Sequence, residues 1–285
     1  MRSQQLIVLA RRLGYRSRPR GAGRWVDVLV LVFLAWVFDA INDLGAVRQH
    51  LAEHHARQVL DLERSLHLAP ELALNKWLGA HHVLSQIVVF YYENIHAGVT
   101  FAVLGWLWWH RPDILPRLRP TLVLVNLVGL AVFWTWPVAP PRMLVSRGYL
   151  DLVASVHHVP VWHAGAIAVE SNQLAALPSL HIAWAVWSAL AVWVICSRAW
   201  VRAIAVVYPL VTTFAVMATA NHFLADAVTG ALATALLALA LDRVWPLRPD
   251  RRGRSRARAR TRASGLPAPG SVPCASLCPA PRASG

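Results

Sequence analysis

The stretch "PSLHIAWAVW", residues 178–187, sets a proline, a serine and a titratable histidine directly against a run suited to lipid. A membrane helix that starts near residue 180 carries His181 at the mouth of the span. An ionisable side chain placed there is costly in hydrocarbon and marks either a function or a solvated interface. Which of the two it marks depends on what other polar groups the chain brings to the same depth.

The 285-residue chain is 56% apolar and only 15% charged. Crossing the hydrocarbon takes about 20 consecutive apolar residues. Runs of that kind lie near 26–44, 84–109, 121–138, 180–197, 200–220 and 223–242. The blocks predict an all-α polytopic membrane protein, a bundle of six transmembrane helices. The first run is long and lacks a small-x-small cleavage site, so it reads as a retained signal anchor.

A net charge of +14 raises the question of a nucleic acid partner, and its distribution answers it. Seven arginines lie between Arg2 and Arg24 and ten between Arg243 and Arg282, at the two ends of the chain. Anionic headgroups and membrane topology account for that pattern without nucleic acid. Basic residues collect on the cytoplasmic side. With both termini inside, Arg111, Arg117, Arg119, Arg198 and Arg202 fall in the two short inner turns. Arg48, Arg57, Arg64, Lys76, Arg142 and Arg147 are left outside. The expected location is the plasma membrane.

Residues 1–24 and 246–285 are rich in Arg, Pro, Ser and Gly and hold too few apolar residues to offset the entropy of ordering. They read as disordered basic cytoplasmic ends around a membrane domain at 25–245. Between the first two spans, Leu60, Leu62, Leu66, Leu68, Leu72, Leu74 and Leu78 predict two short amphipathic surface helices broken near Pro70. Cys196 lies within a span, and Cys274 and Cys278 in the tail carry no assigned role.

Two further polar stretches share the predicted depth of His181. In "NHFLAD", residues 221–226, His222 and Asp226 are four apart and so share one helix face, where the carboxylate can orient the imidazole. In "PVAPPRM", Arg142 follows the third span. A phosphate ester suits this set, because an arginine fork and the Ser179 hydroxyl can bind its oxygens while one histidine attacks and the other protonates the departing oxygen. Neither step needs a metal or another cofactor. Taken singly, His181 reads as an interface residue, His222 with Asp226 as a structural pair and Arg142 as a snorkelling charge. Their convergence favours chemistry.

These residues resemble the type 2 phosphatidic acid phosphatase superfamily. Pro178, Ser179, Leu180 and His181 match its Pro-Ser-x-His block, and His222 with Asp226 match its His-x3-Asp block. The first block is matched only by Arg142, with Met143 in place of its proline and Thr135 in place of its lysine. Val216 stands where an arginine commonly precedes the last block. "FYYENIH", "APPRM" and "ANHFLAD" resemble the branch that includes fungal inositol phosphorylceramide synthase. The resemblance implies His222 as nucleophile, Asp226 as its orienting group, His181 as general acid, and Arg142 and Ser179 as phosphate ligands. It implies a lipid phosphate ester or pyrophosphate as substrate, met on the extracytoplasmic side. Water as acceptor gives a phosphatase, and an alcohol such as inositol or a sugar gives a phosphotransferase. The missing lysine and arginine leave less positive charge at the phosphate; Arg147, Lys76 and His96 are the candidates to replace part of it. His96, three residues from Glu93 within the second span, is also a possible substrate contact.

Two readings of other kinds compete. "HLAEH", residues 50–54, matches the inverted zinc-peptidase pattern, with His50 and His54 as ligands and Glu53 as base, but shows no third ligand. A non-catalytic scaffold or transporter that keeps the fold is the other.

Overall fold

The computed structural model describes residues 48–157 and 176–244. The expected first span, Asp39, Asn42 and Asp43, both basic ends, Cys274 and Cys278 lie outside those residues.

Helix α1 (Gln49–Ser65) buries Ala52, Ala56, Val59, Leu60 and Glu63, a stripe spaced for one helix face. The chain then turns through His67, whose φ of +57° is left-handed, and restarts at Pro70 as α2 (Glu71–Gly79). The two short helices broken near Pro70 are therefore present. Proline is tolerated at that start because the first helical N–H groups have no intrahelical acceptor.

The second expected span is a single 29-residue apolar helix, His82–His110. It consists of α3 (His82–Phe90), a π-helical turn at Tyr91–Ile95, and α4 (His96–His110). Next come α5 (Leu115–Thr135), two 3-10 turns at Pro141–Met143 and Val145–Arg147, and the short α6 (Leu152–His157). Helices α7 (Leu180–Ile195), α8 (Ala199–Ala218) and α9 (Leu224–Val244) complete the bundle.

Four of these helices are long and apolar enough to cross a membrane, and α7 is a shorter fifth. Its 16 residues rise about 24 Å, short of the roughly 30 Å of hydrocarbon. Of the six expected spans, the five that fall on the described residues are present as four full-length helices and one short one. Leu210, Leu232, Leu236 and Leu239 are exposed, as lipid-facing side chains must be. The protein is a membrane-embedded helical bundle.

Helix α7 is its centre, packed against α4, α5, α8 and α9. Hydrocarbon supplies no hydrophobic force between helices, so close packing by small residues and interhelical hydrogen bonds must hold them. Ala183, Ala185 and Ala191 are fully buried on α7. Trp187, also fully buried, donates from Nε1 to Leu118 O at 2.9 Å. The Thr100 and Ser188 hydroxyls bond at 3.2 Å, and Thr234 Oγ1 donates to Ala183 O at 3.3 Å.

The chain direction puts the starts of α7 and α9 at one end of the bundle, beside His96, which lies midway along the 29-residue helix. The turns bearing Arg111 and Arg198 fall at the other, where Leu107, Leu115, Leu118 and Ile195 cluster. There Arg111 forms a two-pronged pair with Asp113, which holds that carboxyl below its usual range.

Candidate active site

The site is built on how α8 stops. Ala220 N donates to Met217 O and Asn221 N to Val216 O, each at 2.9 Å, the paired bonds of a Schellman motif. The residue forced left-handed is Ala220, at φ +54°, where glycine is usual. The conformation costs an L-residue roughly 1 kcal/mol. It reverses the chain, so that Asn221 and His222 leave α8 sideways and α9 begins at once.

His222 is 4% exposed and Asp226 fully buried. His222 Nδ1 lies 2.9 Å from Ala176 O and 3.4 Å from Asp226 Oδ2. Both neighbours are acceptors, so Nδ1 carries the proton. The Nε2 lone pair then faces His181 Nδ1 at 3.1 Å, and His181 must be the donor. The arrangement fixes the tautomer of both rings. Asp226 Oδ2 also accepts from Phe223 N at 2.8 Å, and Ser179 N donates to Asp226 O at 3.0 Å. The two motif blocks are therefore joined through their backbones as well as their rings.

That junction depends on Gly230. A Cβ there would sit 2.3 Å from Ser179 O, far inside contact distance. Only glycine lets α9 come this close to the start of α7. Ser179 is fully buried, and its Oγ caps α7 by accepting from Ile182 N at 3.4 Å. The N–H groups of Leu180 and His181, one residue on, have no acceptor within the helix and form an anion-favouring end.

Arg142 is 7% exposed. Its backbone N donates to Ala220 O at 2.9 Å, its Nη1 to Asn221 Oδ1, and its Nε lies 3.8 Å from Asp151 Oδ2. The positions of the absent basic residues bring no charge. Thr135 Oγ1 donates to Ala131 O within its own helix, and Val216 is buried against Ile182 and Ala227. Lys76 and Arg147 are exposed, with the Lys76 ammonium beside Gly148.

His96 does join the group. Its ring centroid is 4.3 Å from that of His181, and Tyr92 stacks on the other ring at 4.9 Å and 22°. The π-helical turn sets Tyr92 and His96 on one side, and Glu93 turns away to pair with His157 at 2.8 Å. His157 thus bonds the Glu93 carboxyl from α6. In "HLAEH", His50 and His54 are exposed, Glu53 bonds Gln49 and Arg57, and His54 meets Gln58. Among the described residues no group of three or more His, Cys, Asp or Glu is placed to hold an ion.

Sequence reasoning missed Asn221, Asp151, Tyr92, Gly230, Glu63 and Glu71. Asn221 and Tyr92 stand inside the quoted motifs. Glu63 and Glu71 lie in the stretch read from its leucine spacing, and Asp151 and Gly230 lie in stretches that carry no motif.

The bundle thus gathers two histidines, an aspartate and an arginine beside the starts of α7 and α9. A family model described as the PAP2 superfamily matches residues 57–241, well over half of the chain. The chain belongs to that superfamily, whose fold is of phosphatase type. Compared with curated proteins and with solved structures, it matches none.

Proposed function

We propose that the protein transfers a phosphoryl group from a lipid phosphate ester or pyrophosphate through a phosphohistidine on His222, without a metal ion. The observation that supports this is the pairing of a proton-bearing, Asp226-oriented His222 Nδ1 with an Nε2 lone pair that faces a donor on His181. In the first step His222 Nε2 bonds to phosphorus as the ester P–O bond breaks. His181 gives its proton to the departing oxygen. In the second, water or an alcohol loses its proton to His181, attacks phosphorus and breaks the N–P bond.

Arg142 and the α7 N-terminus carry the charge that develops on the phosphoryl oxygens, with Ser179 capping that terminus and His96 contacting the substrate. Loss of one such donor typically costs about 100-fold to 1,000-fold. Water as acceptor makes the protein a lipid phosphatase; inositol or a sugar makes it a headgroup phosphotransferase. The likeness of "FYYENIH" and "ANHFLAD" to the inositol phosphorylceramide synthase branch favours an alcohol. Arginines in the turns at the far end of the bundle favour an extracytoplasmic site in the plasma membrane with both basic termini inside.

The test is phosphate release by the detergent-purified protein from a panel of lipid phosphates and pyrophosphates with EDTA present, alongside His222→Ala. Release that depends on His222 and rises or is diverted when an alcohol is added supports the proposal. Equal release by His222→Ala defeats it.

A further inference from the structure

Behind His222 and Asp226 lies a second buried acidic group, contributed by the surface helices. Glu63 on α1 is 4% exposed and Glu71 at the start of α2 is fully buried. Glu63 Oε1 accepts from Ala225 N at 2.6 Å, a contact between residues 162 apart in sequence. Ala225 N is one of the first-turn donors of α9 that no intrahelical carbonyl can serve. Asp226 takes the donor at Phe223 and Glu63 takes the one at Ala225, so the helix that carries Asp226 is capped partly from another element.

Glu71 Oε1 accepts from Tyr149 OH at 3.2 Å. The remaining oxygen of each glutamate, Oε2, is buried with no N–H or O–H donor from another residue. The two carboxyls are near enough for each to act on the other's proton. Two buried carboxylates repel each other, and a proton held between them would relieve that repulsion and satisfy a bare oxygen.

We propose that Glu63 is a positioning residue for the His222–Asp226 pair, and that the proton it shares with Glu71 locks α1 and α2 onto the start of α9. The proposal rests on the phosphoryl-transfer reading only for its kinetic arm. The groups facing the pair are Tyr149 from the loop before α6 and Asp226 from α9, with Arg64 of α1 acting on Tyr149. Burial, then the neighbouring Glu71 and Asp226, push the Glu63 carboxyl up to about 8 despite its bond from Ala225 N. Burial raises Glu71 as well. A proton held more tightly in the docked state than in the undocked one favours docking fully below the ordinary carboxyl range near 4.5. That advantage shrinks as the pH rises and is gone above about 8, where the pair is ionised beside Asp226.

The experiment is amide hydrogen exchange of the full-length protein in detergent at pH 6 and pH 9, read as protection factors over residues 222–228, for the wild type, Glu63→Gln and Glu63→Ala. Glutamine keeps an acceptor for Ala225 N and an NH2 donor for Glu71, so it needs no shared proton. The expected result is a protection factor at least tenfold lower at pH 9 than at pH 6 in the wild type. Glu63→Gln should stay protected at both pH values, and Glu63→Ala unprotected at both. Wild-type protection that is equal at the two pH values, or Glu63→Gln behaving as Glu63→Ala, overturns the proposal. A lack of phosphoryl transfer in every variant would defeat the proposed function and leave this exchange result standing. Where transfer is measured, Glu63→Ala should lower kcat at least tenfold with KM within threefold, and Glu63→Gln should restore it at pH 6. Unchanged kcat in a folded Glu63→Ala also counts against the proposal.

Discussion

His222 Nε2 and His181 Nδ1 lie 3.1 Å apart across 41 residues of sequence, the first as acceptor and the second as donor. At rest the lone pair assigned to attack is already occupied by the proton assigned to the leaving group. In the proposed reaction a phosphate enters between the rings and replaces that hydrogen bond, a net exchange worth about 1 kcal/mol. The same contact keeps both rings aligned until substrate arrives.

The opposite protonation needs of the two rings give a bell-shaped dependence of kcat/KM on pH, because His222 must be unprotonated and His181 protonated. Initial rates across pH 4–10 check this. A rate that climbs steadily into alkali would remove His181 as the acid.

Asp226→Asn keeps an acceptor for Phe223 N but loses the charge that orients the His222 Nδ1 proton. Activity should fall by about 100-fold to 10,000-fold, the range for a misoriented catalytic base, with little change in thermal midpoint. A comparable loss of stability would recast Asp226 as a structural cap.

Gly230→Ala should damage the protein far more than Gly105→Ala. The new Cβ at Gly230 meets the Ser179 carbonyl at 2.3 Å, whereas none of the atoms around Gly105 comes within 4 Å. Thermal unfolding in detergent should show a lower midpoint for the first and no change for the second. Equal behaviour would mean that α9 does not press on the Ser179 turn.

Ala220→Gly should raise stability by up to about 1 kcal/mol, since glycine adopts the left-handed conformation at φ +54° without strain. Ala220→Val should lower it, because a branched Cβ is worst tolerated there. The same unfolding assay orders the three proteins.

Arg142→Lys should restore little of the activity that Arg142→Ala loses, about 100-fold or more. The guanidinium reaches Asn221 and Asp151 together, and a single ammonium cannot span both. Full activity in Arg142→Lys would show that charge alone is needed.

The apolar runs determined that this chain is a helical membrane protein, because backbone groups in hydrocarbon must be satisfied within the helix and the run lengths follow from membrane thickness. Local spacing also determined the break at Pro70 and the nearness of His222 to Asp226, although the expected shared helix face is not formed: α9 starts only at Leu224, and His222 meets the carboxylate from the turn before it. Three things the tertiary structure alone decided. Asn221 turns to Arg142 because Ala220 reverses the chain after α8. Thr135 and Val216, which stand in charged positions of the family pattern, face their own helix or the packed core and supply no replacement. Glu63, which the leucine spacing hid, reaches the start of α9 because α1 packs against that helix. The contacts of Asn221, Val216 and Glu63 join distant segments, are fixed by packing of whole helices, and lie within no sequence window.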